Sequence, residues 1–221
     1  MSIPLNNVYD RLLAAFGPQN WWPGETPFEI MVGAVLVQNT NWRNVAQAIH
    51  SLRDNGLLEP KALDNIDQSE LEELIRPAGY FRVKAKRLRS LLRYLIDRYD
   101  GSLDAMFACD LATLREELLT IHGIGPETAD SILLYAGGKP TFVVDTYTGR
   151  VLVRHGWVEP EADYYQVQEL FHEQLPLDAA QFNEFHALFV QLGKQFCKKS
   201  QPKCDGCPLE SLLPTGGICE F

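Results

Sequence analysis

Apolar residues recur at three- and four-residue intervals along most of the chain, with charged positions between them. This period predicts helices over 7–16, 28–37, 41–55, 69–75, 83–99, 110–119, 126–136, 146–155, 164–173 and 179–196. Strict alternation is nearly absent, and only Phe142-Val143-Val144 reads as a short extended apolar run. The expected fold class is therefore all-α. Ser69 and Glu72 have the spacing of a capping box, and Asn39-Thr40 is placed to cap the 41–55 helix. Leu88, Leu91, Leu92 and Leu95 mark the buried stripe of the 83–99 helix. Repeats, low-complexity tracts and long linkers are lacking, and 221 residues fit one large domain or two small ones.

The reversal between the 110–119 and 126–136 helices is the most informative segment. Gly123-Ile124-Gly125 permits positive φ and close backbone approach, and Pro126 suits a first helical turn. Backbone N–H groups and the positive helix end would then face a phosphate. An ordinary tight turn explains the same glycines. Twenty residues after the hairpin, Asp145-Thr146 opens another helix. Asp145 reads as an N-cap worth ~1 kcal/mol, and a capping carboxylate can still face a substrate.

The hairpin, the Leu/Ile-rich helix after it and the Val143-Val144-Asp145-Thr146 tetrapeptide resemble the helix-hairpin-helix DNA glycosylases, endonuclease III branch. The resemblance covers nearly the whole chain. It implies a bilobal fold, with residues 28–138 as one lobe and 1–27 plus 139–221 as the other. Double-stranded DNA with a damaged base would lie in the cleft between them. It also implies that Asp145 is catalytic, stabilising the cationic sugar that forms as a base departs and orienting or deprotonating a water.

Bifunctional members carry a lysine two residues after the second hairpin glycine, and its amine forms an imine with the sugar. Here that position is Glu127, which cannot do so. Lys139 and Lys194 are the other amines to consider. Water is the expected nucleophile and an abasic site the expected product. Glu127 also makes sense as a first-turn acid on a helix.

Three of the four tryptophans fall between residues 21 and 42, in Trp21-Trp22-Pro23 and at Trp42. Such a cluster serves equally as a core anchor. The loop resembles that of the 3-methyladenine glycosylase subgroup, where these aromatics sandwich a flipped alkylated purine. That resemblance makes Trp21, Trp22, Pro23, Trp42 and Glu127 the expected base pocket. In the helix-hairpin-helix family the glutamine matching Gln38 fills the gap left by the extruded nucleotide, and Asn39 beside it is a further expected DNA contact. A cationic methylated purine gains ~1–2 kcal/mol over a desolvated Trp face, and a damaged base is easier to extrude than a paired one.

Four of the five cysteines lie near the C-terminus with spacing C-x6-C-x2-C-x11-C: Cys197, Cys204, Cys207 and Cys219. Residues 1–4 run straight into an amphipathic helix, without a leader or long apolar span, and the odd total argues against a disulfide framework. Four clustered thiolates suit a 4Fe-4S cluster. Zinc more often shows two close pairs, and an unmetallated loop is the third alternative. The family pattern shares C-x6-C-x2-C but closes after five residues, at the position of Leu213, so Cys219 must swing back through Pro214 and Gly216-Gly217. Cys109 reads as an incidental thiol.

The net charge of −9 with a pI near 5.0 would normally argue against nucleic acid. Its distribution does not: between residues 76 and 98 stand Arg76, Arg82, Lys84, Lys86, Arg87, Arg89, Arg93 and Arg98, against the single acid Asp97. Lys84, with Lys198 and Lys199 of the cysteine loop and the hairpin residues Gly123, Ile124 and Gly125, is an expected DNA contact. Affinity should fall steeply with salt. His122 reads as a solvent or phosphate contact, while His50, His155, His172 and His186 show no ligand spacing. The reading is a cytoplasmic, nucleoid-associated, monomeric glycosylase that excises alkylated purines and does not engage a membrane. Glycosylases for oxidised, deaminated or mismatched bases, and a non-catalytic damage-binding or redox protein, are the alternatives.

Overall fold

The computed structural model describes residues 3–22 and 24–221; Pro23 lies outside the described residues. Among the described residues the secondary structure is helical, without strands. The helices are α1 (Leu5–Phe16), α2 (Pro27–Leu36), α3 (Trp42–Asp54), α4 (Pro60–Asn65), α5 (Gln68–Leu74), α6 (Phe81–Tyr99), α7 (Leu103–Phe107), α8 (Leu111–Thr120), α9 (Pro126–Ser131), α10 (Thr146–Arg154), α11 (Tyr164–Gln174) and α12 (Ala179–Gln195). A π-helical turn, Ile132–Ala136, prolongs α9. No helix is long and apolar enough to cross a membrane among the described residues.

Two compact units partition the chain: Trp22–Lys139, and Met1–Trp21 with Pro140–Phe221. In the first, α2 is apolar nearly all round and is buried from Phe28 to Leu36 except at Ile30. Thr26 caps it by accepting from Glu29 N at 3.2 Å, and Pro27 fills the first turn. Leucines 88, 91, 92 and 95 of α6 close the same core. Arg115 of α8 forks onto Asp130 of α9 at 2.8 and 2.9 Å, which fixes the two arms of the hairpin.

Lys84 departs from the sequence expectation. It is 1% exposed, and its ammonium donates to Leu36 O at 2.9 Å and Ala78 O at 2.7 Å. Its position falls on the leucine face of α6, so it caps the ends of two helical segments and its ammonium is kept from DNA. Burial, and secondly Arg87, lower its pKa to about 8. Two caps also differ from expectation. Asp67, not Ser69, precedes α5, and Asn41 itself caps α3 by accepting from Asn44 N at 3.2 Å.

The second unit is built on aromatic packing. Phe142 stacks on Phe171 with ring centroids 3.6 Å apart, and Phe182 and Phe185 meet Phe142 edge-on. Gly193 of α12 lies against the Tyr147 ring of α10, where a Cβ would overlap ring carbons. That missing side chain lets the two helices approach closely.

Candidate functional site

Asp145 is the N-cap of α10. Its Oδ1 accepts from Thr148 N at 2.8 Å and from Thr148 Oγ1 at 3.1 Å, while Oδ2 lies 3.5 Å from His186 Nε2 on α12. The two side chains are 13% and 6% exposed. Burial acts to raise the Asp145 pKa, but His186 and the Thr148 donors outweigh it, so the group lies below the ordinary carboxylate range. The site therefore holds an ionised carboxylate with one oxygen fixed by a cap and the other facing an imidazole. His186 has no sequence signal; only the packing of α10 on α12 brings it there.

In the hairpin, Gly123 has φ +86 and Arg87 lies across the place its Cβ would take. Ile124 is 5% exposed and its N–H is spent on Ile121 O at 3.0 Å, so it offers no donor to a ligand, contrary to expectation. The Gly123 and Gly125 amides donate to no acceptor among the described residues. Gln38 is docked here: its Nε2 donates to Gly123 O at 3.1 Å and Thr128 Oγ1 at 2.9 Å, and its Oε1 accepts from Arg87 Nη1. Asn39 beside it is exposed at φ 54, and Glu127 is exposed in the first turn of α9.

Trp22 meets Trp42 edge-on at 5.1 Å and Tyr135 in a tilted contact at 4.9 Å. Both indoles approach Gly33 of α2, and they open on a cavity of about 370 Å³ whose wall also carries Glu25, Glu29, His50 and Arg53. Trp21 belongs to the other unit, where the Lys194 ammonium sits 5.4 Å from its ring centroid. Tyr135 escaped the sequence reading because it looks like one more apolar position of its helix. Lys139 turns its amine onto Cys109 O at 2.5 Å.

Cys197, Cys204 and Cys207 line one small cavity together with Arg154, His155, Leu213 and Ile218. Burial first, and the Cys197 thiol among other groups, push the Cys204 and Cys207 thiols up. Cys219 does not line the cavity and is exposed, but its N–H donates to Arg154 O at 3.0 Å and its Sγ borders Gly156. The long loop thus returns to the end of α10. Arg154 donates to Cys197 Sγ at 3.3 Å, Lys198 O at 2.7 Å and Lys199 O at 2.8 Å, leaving both lysines exposed. Among the described residues, no three His, Cys, Asp or Glu side chains meet around a single-ion site. Cys197, Cys204 and Cys207, with Arg154 donating to the first, are the residues on this cavity that could hold a metal group.

Residues 32–177 match the model of the HhH-GPD superfamily base excision DNA repair protein. A Methanocaldococcus jannaschii protein provisionally named a DNA repair glycosylase is 46% identical over 205 residues, 92% of each chain. Endonuclease III of Thermotoga maritima is 29% identical over 88% of this chain and 83% of its own. Among solved structures, a non-covalent endonuclease III–DNA complex superposes with a TM-score of 0.82 at 26% identity, covering 96% of this chain and 94% of that one. The H. pylori 3-methyladenine DNA glycosylase bound to 1,N6-ethenoadenine superposes with a TM-score of 0.77 at 30% identity, covering 87% of this chain and 98% of that one. With its hairpin, its capping aspartate and matched regions of this extent, the chain belongs to the HhH-GPD superfamily of base excision DNA repair proteins.

Proposed function

We propose that the protein is a monofunctional DNA glycosylase that hydrolyses the N-glycosidic bond of a flipped alkylated purine in double-stranded DNA. The observation that carries this reading is the pair of side chains at the two key positions: ionised Asp145 against His186, and Glu127 where an imine-forming amine would stand. As the bond from sugar C1′ to the base nitrogen breaks, its electrons leave with the base and positive charge grows on the sugar. The Asp145 carboxylate stabilises that charge. A water then bonds to C1′ and loses a proton toward the carboxylate, leaving an abasic site and an intact strand.

An alkylated purine already carries positive charge, so its bond needs modest assistance, and the indoles of Trp22 and Trp42 attract it. Pro23 belongs to the same proposed pocket, and Glu127 adds a carboxylate. Gln38, with Asn39, fills the gap in the duplex, while the Gly123 and Gly125 amides, Lys198 and Lys199 hold phosphates. Cys197, Cys204, Cys207 and Cys219 would hold a 4Fe-4S cluster, and the loop that carries Lys198 and Lys199 would be tied down through these thiolates. The protein works as a monomer on cytoplasmic DNA.

The test is single-turnover incubation with randomly alkylated DNA, scoring released bases and strand breaks in one tube. Release of 3-methyladenine without strand cleavage is expected. Release of only an oxidised, deaminated or mismatched base from a duplex panel would reassign the substrate. Strand cleavage trapped by borohydride would overturn the water mechanism, and lesion binding without an abasic product would overturn catalysis.

A further inference from the structure

Arg87 of α6 lies against the hairpin, one turn from the buried Lys84, and neither cation has a carboxylate partner among the described residues. Lys84 spends its ammonium on two backbone carbonyls. Arg87 lays its stem over Gly123 and gives Nη1 to Gln38 Oε1, and its Nε–H is buried with no acceptor. Gly123 N–H, at the same spot, also donates to nothing among the described residues. A buried donor without an acceptor is unfavourable, and two like charges with no counter-ion add to that. The Arg87 charge also contributes to holding the Lys84 ammonium below its usual pKa. An anion would relieve all of these together.

We infer that Arg87 is a ligand for a DNA backbone phosphate, kept docked on the Gln38 amide until Gln38 leaves the hairpin. Gln38 is held at both ends of its amide, by Gly123 and Thr128 on one side and Arg87 on the other. When that amide moves into a duplex, the guanidinium loses its one side-chain partner among the described residues, and its Nε–H is uncovered beside the Gly123 amide. The phosphate takes the place of Gln38 Oε1, so the two events are exchanged rather than added. Arg suits the role because its planar fork can hold a phosphate through two N–H groups at once.

The inference rests on the proposed DNA reading, and its test separates the two. Binding of wild type, Arg87→Met and Arg87→Lys to a duplex with a tetrahydrofuran abasic analogue is measured by anisotropy across a salt series. Methionine keeps the stem over Gly123, and lysine keeps the charge. Arg87→Met should lower the slope of log K against log salt by about 1 and weaken binding roughly tenfold near 0.1 M salt, whereas Arg87→Lys keeps the slope. On undamaged duplex, where no gap draws Gln38 out, the Arg87→Met difference should shrink. A wild-type slope in folded Arg87→Met, or a slope lost equally in Arg87→Lys, overturns the inference. Should Arg87→Met not fold, loss of the slope in Arg87→Lys alone overturns it and retention supports it. If wild type shows no salt-dependent DNA binding, the DNA reading itself fails.

Discussion

Asp130 in the hairpin helix and Asp145 at the start of α10 are both shielded from solvent, yet their surroundings assign them opposite work. Asp130 is fully buried, and Arg115 takes both of its oxygens in a fork. Asp145 spends one oxygen on its own helix and turns the other toward His186, at a separation longer than a good hydrogen bond. A carboxylate saturated by a permanent cation holds two helices together. One with an oxygen in reserve can meet a charge that appears only during a reaction. Burial alone therefore does not identify a reacting group; on the proposed function, the oxygen that faces only His186 is the one that acts.

The largest expected effect tests that contrast directly. Asp145→Asn keeps a capping oxygen for Thr148 but removes the charge, so excision should fall by roughly 10²–10³-fold while the melting temperature barely changes. Single-turnover excision alongside thermal melting checks this; wild-type rates would remove Asp145 from the chemistry. Asp130→Asn should behave in the reverse way, destabilising by about 2 kcal/mol because a neutral amide replaces the buried carboxylate that the partly exposed Arg115 grips with two donors. Excision per folded molecule stays close to wild type, as denaturant melts and active-site titration would show.

Replacing His186 by glutamine gives a smaller effect. Because the Asp145 pKa is depressed, catalysis should persist down to below the ordinary aspartate value of ~3.9. Loss of the imidazole raises that pKa, so the acid limb of the pH–rate profile moves upward, with a rate loss of about tenfold at neutral pH or less. An unmoved limb would show that the Thr148 donors alone hold Asp145 ionised. The smallest effect concerns a third carboxylate, Glu117, which accepts from Tyr94 and Tyr99 at 2.7 Å and Arg98 at 2.9 Å. Its pKa is lowered to about 2, so its stabilisation is present above the unfolded value of ~4.3 and is lost as pH falls toward 2. Glu117→Gln should remove about 1 kcal/mol or less at neutral pH and flatten that acid dependence, measured by melts between pH 2 and 6.

The helices were legible because burial imposes a period, and ten of them, counting α9 together with its π-helical turn, lie within a few residues of the positions that period marks. The helices Pro60–Asn65 and Leu103–Phe107 were not, since six and five residues hold too little of the period to register. Asp145 could be found because its chemistry sits in a local motif. His186 could not, because 41 residues separate it from Asp145 and only helix packing joins them. Lys84 misled for a related reason: its position falls on the leucine stripe, but its charge suggested the outer face. Nothing in the sequence tells that the amide of Gln38 rests on the hairpin before any duplex is present.

The π-helical turn after α9 has a consequence for insertions and deletions. Gly137 N–H reaches back five residues to Ile132 O at 3.1 Å, so this stretch holds one residue more than an α-helix would. The extra residue shifts the angular phase of Tyr135, inside the turn, against the hairpin upstream. Removing one residue from Ile132–Leu134 would restore the ordinary ladder and keep the positions after the turn in phase, while Tyr135 would shift by roughly half of one residue's 100° step against Trp22. Chain length in this turn thus acts as a dial on the aromatic cluster, and a one-residue deletion there would leave every side chain of the hairpin intact.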